Sequence, residues 1–162
     1  MRERKRFKHK TQVTVRTNEI DWQGIVHNAV YLHYFEVGRM GYFETIGFPI
    51  VSTAGVLAHK VVIGRNEIDY RSPARYKETL DVHTRIIWIR NTSFAVQGFI
   101  EETNSKRLIC ENVALHVWLD EKSDEPVPVP KFFREIVKAF EGIDVLISPL
   151  RFTTQRDVRN GS

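Results

Sequence analysis

What is scarce in this chain already narrows its chemistry. One cysteine, Cys110, among 162 residues leaves nothing to pair with in an internal disulfide. The N-terminal run M-R-E-R-K-R-F-K-H-K has no apolar core of a secretory signal, so a cytoplasmic location is the default expectation. No apolar run approaches about 18 residues, so no transmembrane helix is expected. G-x-S-x-G, G-x-x-x-x-G-K and G-x-G-x-x-G are all missing, which removes the serine-hydrolase elbow and the two common phosphate-cradling loops. The histidines at 9, 27, 33, 59, 83 and 116 show no metal-ligand spacing, and His27 and His33 fall on different helix faces. Neither a metal nor a cofactor is therefore expected.

A net positive charge is also lacking once the first ten residues are set aside. Arg2, Arg4, Lys5, Arg6, Lys8 and Lys10 against Glu3 give +5 there, while the whole chain carries only +4. Such an arm could touch nucleic acid or another polyanion, but it reads first as a solvated leader to the first strand. The rest, of ordinary apolar content and 18 aromatics, is long enough for one domain with a real core.

The stretch 17–47 organises that domain. A polar loop holding Asp21, Gly24, His27 and Asn28 runs directly into the longest helical pattern. Tyr31, Tyr34, Phe35, Gly38, Tyr42 and Ile46 recur at steps of three and four. Gly38 and Gly41 are poor helix formers, so something is expected to pack close to the backbone there. Gly47 and Pro49 form the stop signal. A strand is expected over 10–17 and an irregular stretch over 48–57. From 58 to 120 the period becomes two, with strands near 60–70, 80–90, 93–101 and 108–119. Leu80, Val82, Thr84, Ile86 and Trp88 should share one face. Ile87, Ile89, Phe99, Val113 and Val117 should form an apolar outer patch suited to a second copy. Prolines exclude helix and inner strand over 121–130. An amphipathic helix follows over 131–140, with Phe133, Ile136, Val137 and Phe140 as its stripe, and the end from 151 reads as frayed. The fold class is α+β: a curved antiparallel sheet of about five strands around one long hydrophobic helix, with an arm over 1–10, a domain over 11–141 and a tail over 142–162.

For chemistry, Asp21 stands out. On spacing alone, an aspartate in such a loop most commonly serves a turn or cap. Trp22, Ile25 and Val26 would partly desolvate it, and Gly24 permits close backbone approach. The helix start beyond supplies unpaired N–H groups suited to an oxyanion. A carboxylate beside an oxyanion site is a minimal hydrolase.

The run D-W-Q-G-I-V-H-N-A-V-Y-L-H-Y-F-E-V-G-R over 21–39 resembles the signature D-x-x-G-x-V-x-x-x-x-Y-x-x-Y-x-E-x-x-R of the hotdog-fold acyl-CoA thioesterases of the 4-hydroxybenzoyl-CoA thioesterase type. The segment I-D-Y-R-S-P-A-R-Y-K-E-T-L-D-V, the R-N-T-S-F turn and the V-P-V-P helix entry look alike as well. The resemblance covers nearly all of 11–140 and implies the hotdog fold, hydrolysis of an acyl-CoA and a homodimer or homotetramer with sites between subunits. It implies Asp21 as catalytic carboxylate and the Asn28 backbone N–H as the group that polarises the thioester carbonyl. His27 lies where relatives vary, one position before a histidine that some of them use, so a catalytic and an idle role both stay open. Tyr31 matches a substrate-site position, and Tyr34 reads as core. Glu36 and Arg39 read as an i,i+3 pair. Arg90, Asn91, Thr92 and Ser93 fall in the turn that approaches the CoA nucleotide in some members, though an ordinary polar hairpin has the same composition. Hydratases and dehydratases share this fold, and so could an acyl-thioester binder without catalysis.

Overall fold

The computed structural model describes residues 4–48 and 60–150. The expected irregular stretch beyond Phe48, with Pro49, and the end from 151 lie outside them.

Six strands, β1 (His9–Thr14), β2 (Lys60–Tyr70), β3 (Thr79–Ile89), β4 (Ser93–Glu102), β5 (Leu108–Leu119) and β6 (Leu146–Ile147), and two helices, α1 (Val30–Thr45) and α2 (Lys131–Glu141), make the fold. The main path runs β1-β3-β4-β5-β2, all antiparallel. β6 lies parallel to β3 at Trp88 and Ile89, on the same edge as β1 and beyond the end of it. Short turns explain the β3–β4–β5 meander. The 11-residue β2 is an open edge.

α1 lies against this sheet, as expected from its aromatic circumference. Tyr31, Tyr34 and Phe35 pack with Leu80, Val82 and Ile100. Further along, Tyr42 and Phe43 pack with Ile86, Phe94 and the Phe133 and Val137 of α2. The glycines mark the closest approach. A Cβ on Gly38 would sit 2.6 Å from Val82 Cγ1 and 2.7 Å from Thr84 Oγ1, and one on Gly41 2.6 Å from Thr11 Oγ1.

Three expectations need correction. An extra residue at Ile87 shifts the β3–β4 register, with Ile86 opposite Val96 and Trp88 opposite Ala95. This bulge reverses the alternation. Ile89 therefore enters the core and Trp88 faces outward, under the Arg90 guanidinium. The basic arm is not a solvated leader either. β1 begins at His9, Phe7 packs edge-on against Phe99 at 4.9 Å, and Arg4 pairs with Glu101 at 2.8 Å. Lys8 donates to the Phe140 carbonyl, and Lys10 reaches the buried Asp81 carboxylate. The arm thus covers part of the expected outer patch. Finally, Glu36 and Arg39 make no close ion pair among the described residues: Glu36 is exposed while Arg39 is buried, and they interact only through their charges, Glu36 partly offsetting the burial that lowers the Arg39 pKa.

Candidate functional site

The loop 20–28 before α1 is fixed by backbone pairing on both flanks. Ile20 bridges Val26, Ile25 bridges Arg75, and Val26 N–H donates to the Ala74 carbonyl at 2.9 Å. At its tip Gln23 N–H donates to Asp21 Oδ1 at 2.8 Å and Gly24 N–H to the Asp21 carbonyl at 3.0 Å. Gly24, at φ +75°, supplies the left-handed residue that closes this turn. Asp21 is thus a turn residue, but only through one oxygen. Among the described residues nothing donates to its Oδ2.

The far end of the loop is anchored by a carboxylate that sequence reasoning passed over. Glu19 is buried and accepts from Arg16 N at 2.8 Å, from the Arg16 guanidinium at 2.7 and 3.1 Å, and from Tyr34 Oη at 2.7 Å. Burial alone would raise its pKa, but the Arg16 and Tyr34 hydrogen bonds outweigh burial and hold it below the ordinary value. Its backbone carbonyl accepts His27 N–H at 2.9 Å. The three-residue spacing from Arg16 N to a Glu side chain is the signal that could have revealed it.

At the entry to α1 the peptide orientations follow from their partners. The His27 carbonyl accepts Val30 N–H at 2.9 Å and so points into the helix. In a trans peptide the N–H points the opposite way. The Asn28 N–H therefore faces away from the helix, and no described residue accepts it. The next peptide is held at both ends. Ala29 N–H donates to His27 Nδ1 at 3.2 Å, and Tyr70 Oη donates to the Asn28 carbonyl at 3.0 Å.

These groups surround one cavity of about 540 Å³, lined by Asp21, His27, Asn28 and Tyr31 among others, with Tyr70, Ser72 and Pro73 opposite. Its size suits a small-molecule ligand. Tyr31 is also structural: its hydroxyl accepts Ala74 N–H at 3.0 Å. Gly24 does not line the cavity, and its place is the turn. Trp22 is 93% exposed in the protomer, so it does not shield the carboxylate there as expected. Arg90 and Ser93 line a separate cavity of about 340 Å³ with Arg65, Glu67 and Trp88. Thr92 lines neither; its carbonyl accepts Trp118 N–H at 2.9 Å.

Elsewhere the titratable groups read as structure. Burial pushes the Cys110 thiol up to about 12 and His116, stacked on Phe94, down to about 4. Asp81, His83 and Glu101 are the one group of possible metal ligands among the described residues. Their oxygens are already taken. Asp81 accepts from Gln12, Lys10, Thr103 and Lys106, and Glu101 from Arg4 and His83. A dication there would have to displace two ammonium groups and a guanidinium, so the donor set does not fit a metal.

The curved sheet around α1, with a carboxylate and a free amide at the helix entry, has clear relatives. The family model of the Thioesterase-like superfamily matches residues 15–137. The chain belongs to this superfamily. It is 33% identical over 136 residues to YneP of Bacillus subtilis, provisionally named an acyl-CoA thioesterase, covering 82% of this chain and 94% of YneP. It is 31% identical over 136 residues to the acyl-acyl carrier protein thioesterase ATL2 of Arabidopsis thaliana, covering 82% and 70%. Among solved structures, a Thermus thermophilus thioesterase complexed with coenzyme A and Zn superposes with a TM-score of 0.71 at 29% identity, covering 84% of this chain and 96% of that one. The hotdog fold implied by the 21–39 signature is the fold of this chain. No helix among the described residues is long and apolar enough to cross a membrane.

Proposed function

We propose that this superfamily member hydrolyses acyl-CoA thioesters in the cavity beside the α1 entry. One observation carries the reading: Asp21 and Asn28 line the same cavity, and Asp21 Oδ2 and the Asn28 N–H have no partner among the described residues. Asp21 takes a proton from water as the water oxygen adds to the thioester carbon, or its own oxygen adds to that carbon directly. The Asn28 N–H receives the oxyanion. Collapse expels the CoA thiolate, which takes up a proton. The water route yields the free acid at once; the direct route leaves an Asp21–acyl anhydride, which a water molecule then hydrolyses to the free acid and the Asp21 carboxylate.

Among the described residues the cavity lining contains no lysine or arginine, although CoA is rich in phosphate, while Arg65 and Arg90 line the other cavity. A second copy that brings its Arg90–Ser93 hairpin toward Asp21 would supply the missing cations, consistent with the open β2 edge and exposed Trp22. This arrangement makes the active unit a homo-oligomer.

The test is thiol release over short, long, branched and aromatic acyl-CoAs, with acyl carrier protein thioesters in parallel. Asp21→Asn should lower turnover by about 10²–10⁴-fold with the fold intact. Wild-type-like hydrolysis by that variant defeats the assignment. Asn28→Ala should lose far less, because the proposed contact is backbone. The presence of His27 in the same cavity favours one second reading, an Asp–His hydratase. Loss of enoyl-CoA absorbance without thiol release would select it, and saturable binding without any turnover would select a binder.

A further inference from the structure

We propose that Tyr70 and His27 are positioning residues of the oxyanion site, clamping the Asn28–Ala29 peptide from its two ends so that Asn28 N–H is the amide left facing the substrate. The inference rests on the thioesterase reading above for its catalytic consequence, but not for its geometry.

A helix entry offers several unpaired N–H groups, and any of them could turn toward a bound carbonyl. Here the choice has been made by side chains. Val30 N–H is spent on the His27 carbonyl, and Ala29 N–H on His27 Nδ1. Leu32 N–H goes to the Ala29 carbonyl at 3.2 Å, and Tyr31 N–H, inside α1, also finds no acceptor among the described residues, so Asn28 N–H is the free amide on the loop side of the helix entry. On the other side of the 28–29 peptide, the Tyr70 hydroxyl holds the Asn28 carbonyl. Because N–H and C=O of one peptide are antiparallel, these two bonds pull along one line and fix the torsion between the two peptide planes at Asn28. Tyr70 is itself held. It ends β2, where it pairs with Cys110, and its ring meets that of Tyr31 edge-on at 5.7 Å. The clamp therefore joins the oxyanion amide to the sheet.

The same geometry limits what His27 can do. With Nδ1 accepting from a backbone N–H, the neutral ring carries its proton on Nε2. Nε2 then has no lone pair to offer, so His27 cannot serve as a base without surrendering Ala29. With that bond made it positions; the Asp–His hydratase reading would require it to be given up.

Tyr70→Phe removes the hydroxyl at a half-exposed ring and opens no buried void. It should lower kcat by about 3- to 10-fold, the range of one neutral hydrogen bond, with KM nearly unchanged. His27→Gln should lower kcat similarly and leave both limbs of the pH–kcat profile in place. Combined, the two changes should cost less than the product of the single losses, since they release one peptide. Amide exchange followed by NMR supplies a readout independent of turnover: the Ala29 amide should exchange several-fold faster in Tyr70→Phe. Unchanged exchange overturns the clamp. Faster exchange with unchanged kcat overturns its catalytic role, as does a lost pH limb in His27→Gln. If Asp21→Asn keeps wild-type turnover, the placement of catalysis at Asp21 falls while the exchange result still decides the clamp.

Discussion

Glu19→Gln is the substitution that best probes how the fold holds the catalytic loop. It keeps the shape of the side chain and replaces one oxygen by an NH₂ group. The Arg16 guanidinium takes Oε1, while Arg16 N and Tyr34 Oη share Oε2. The new amide therefore faces the guanidinium, whose side chain is 72% exposed and can return to water, and the remaining oxygen still accepts from Tyr34. The main loss is the charge on that buried oxygen: a bond to a charged group, about 1.5–3 kcal/mol, becomes a neutral one of about 0.5–1.5, and the released Arg16 bonds add little. A total of about 1–2 kcal/mol is expected by urea unfolding near pH 7, at constant protein concentration. The pH dependence supplies a second check. The folded Glu19 carboxyl titrates below its ordinary value of 4.5. Its contribution is then full above about 4.5 and is lost as pH falls through the lower folded value. Glu19→Gln should therefore differ from wild type at neutral pH and approach it in acid. Because the Glu19 carbonyl also holds His27 N–H, kcat should fall by about ten-fold or more as the loop shifts. A Gln variant within about 0.5 kcal/mol of wild type, with an unchanged acid limb, would refute the anchoring role.

Gly38→Ala should destabilise by up to about 2 kcal/mol: overpacking against the stiff Val82 and Thr84 costs about 1–3, and alanine's helix preference returns about 1. A rise in Tm would show that the helix can lift off β3 freely. Phe7→Ala should cost about 1–2 kcal/mol and loosen the arm, seen as faster proteolysis before β1, because Phe7 lies between Phe99 and the Arg85 guanidinium. Exhaustive chelation should leave thiol release unchanged, since Lys10, Lys106 and Arg4 already neutralise the Asp81–Glu101 group. Loss of activity restored by zinc would overturn that view.

Much of the fold was legible because local pattern and tertiary demand agreed. The period of three and four in α1, the glycines facing β3 and β1, the prolines before α2 and the alternation along β4 each point to one structure. Trp88 and Ile89 show where pattern alone fails. In I-I-W-I both phases are apolar, so burial could not choose between them, and an unpaired Ile87 decided the matter. The arm failed for a different reason. Six cations in ten residues look solvated until their partners are known, and Asp81 and Glu101 lie far along the chain from Lys10 and Arg4.

The candidate site divides along the same line. Asp21, His27, Asn28 and Tyr31 sit within eleven residues, and the resemblance that named them survives as a shared cavity. Tyr70 could not be read from the chain, because a tyrosine ending a strand carries no mark of the carbonyl it will meet 42 positions away. Arg90 and Ser93 mark the opposite limit. They were grouped with Asp21 by resemblance, yet one protomer keeps them in separate cavities. A single copy has its carboxylate and oxyanion amide in one place and its candidate phosphate ligands in another. On the proposed reading, the contact that unites them comes from a second copy. Activity should then fall with dilution below the dissociation constant of the oligomer, and Arg90→Ala should raise KM while leaving the protomer's stability alone. An Arg90→Ala variant with unchanged KM, or turnover per protomer that is constant as the oligomer dissociates, would separate the two cavities for good.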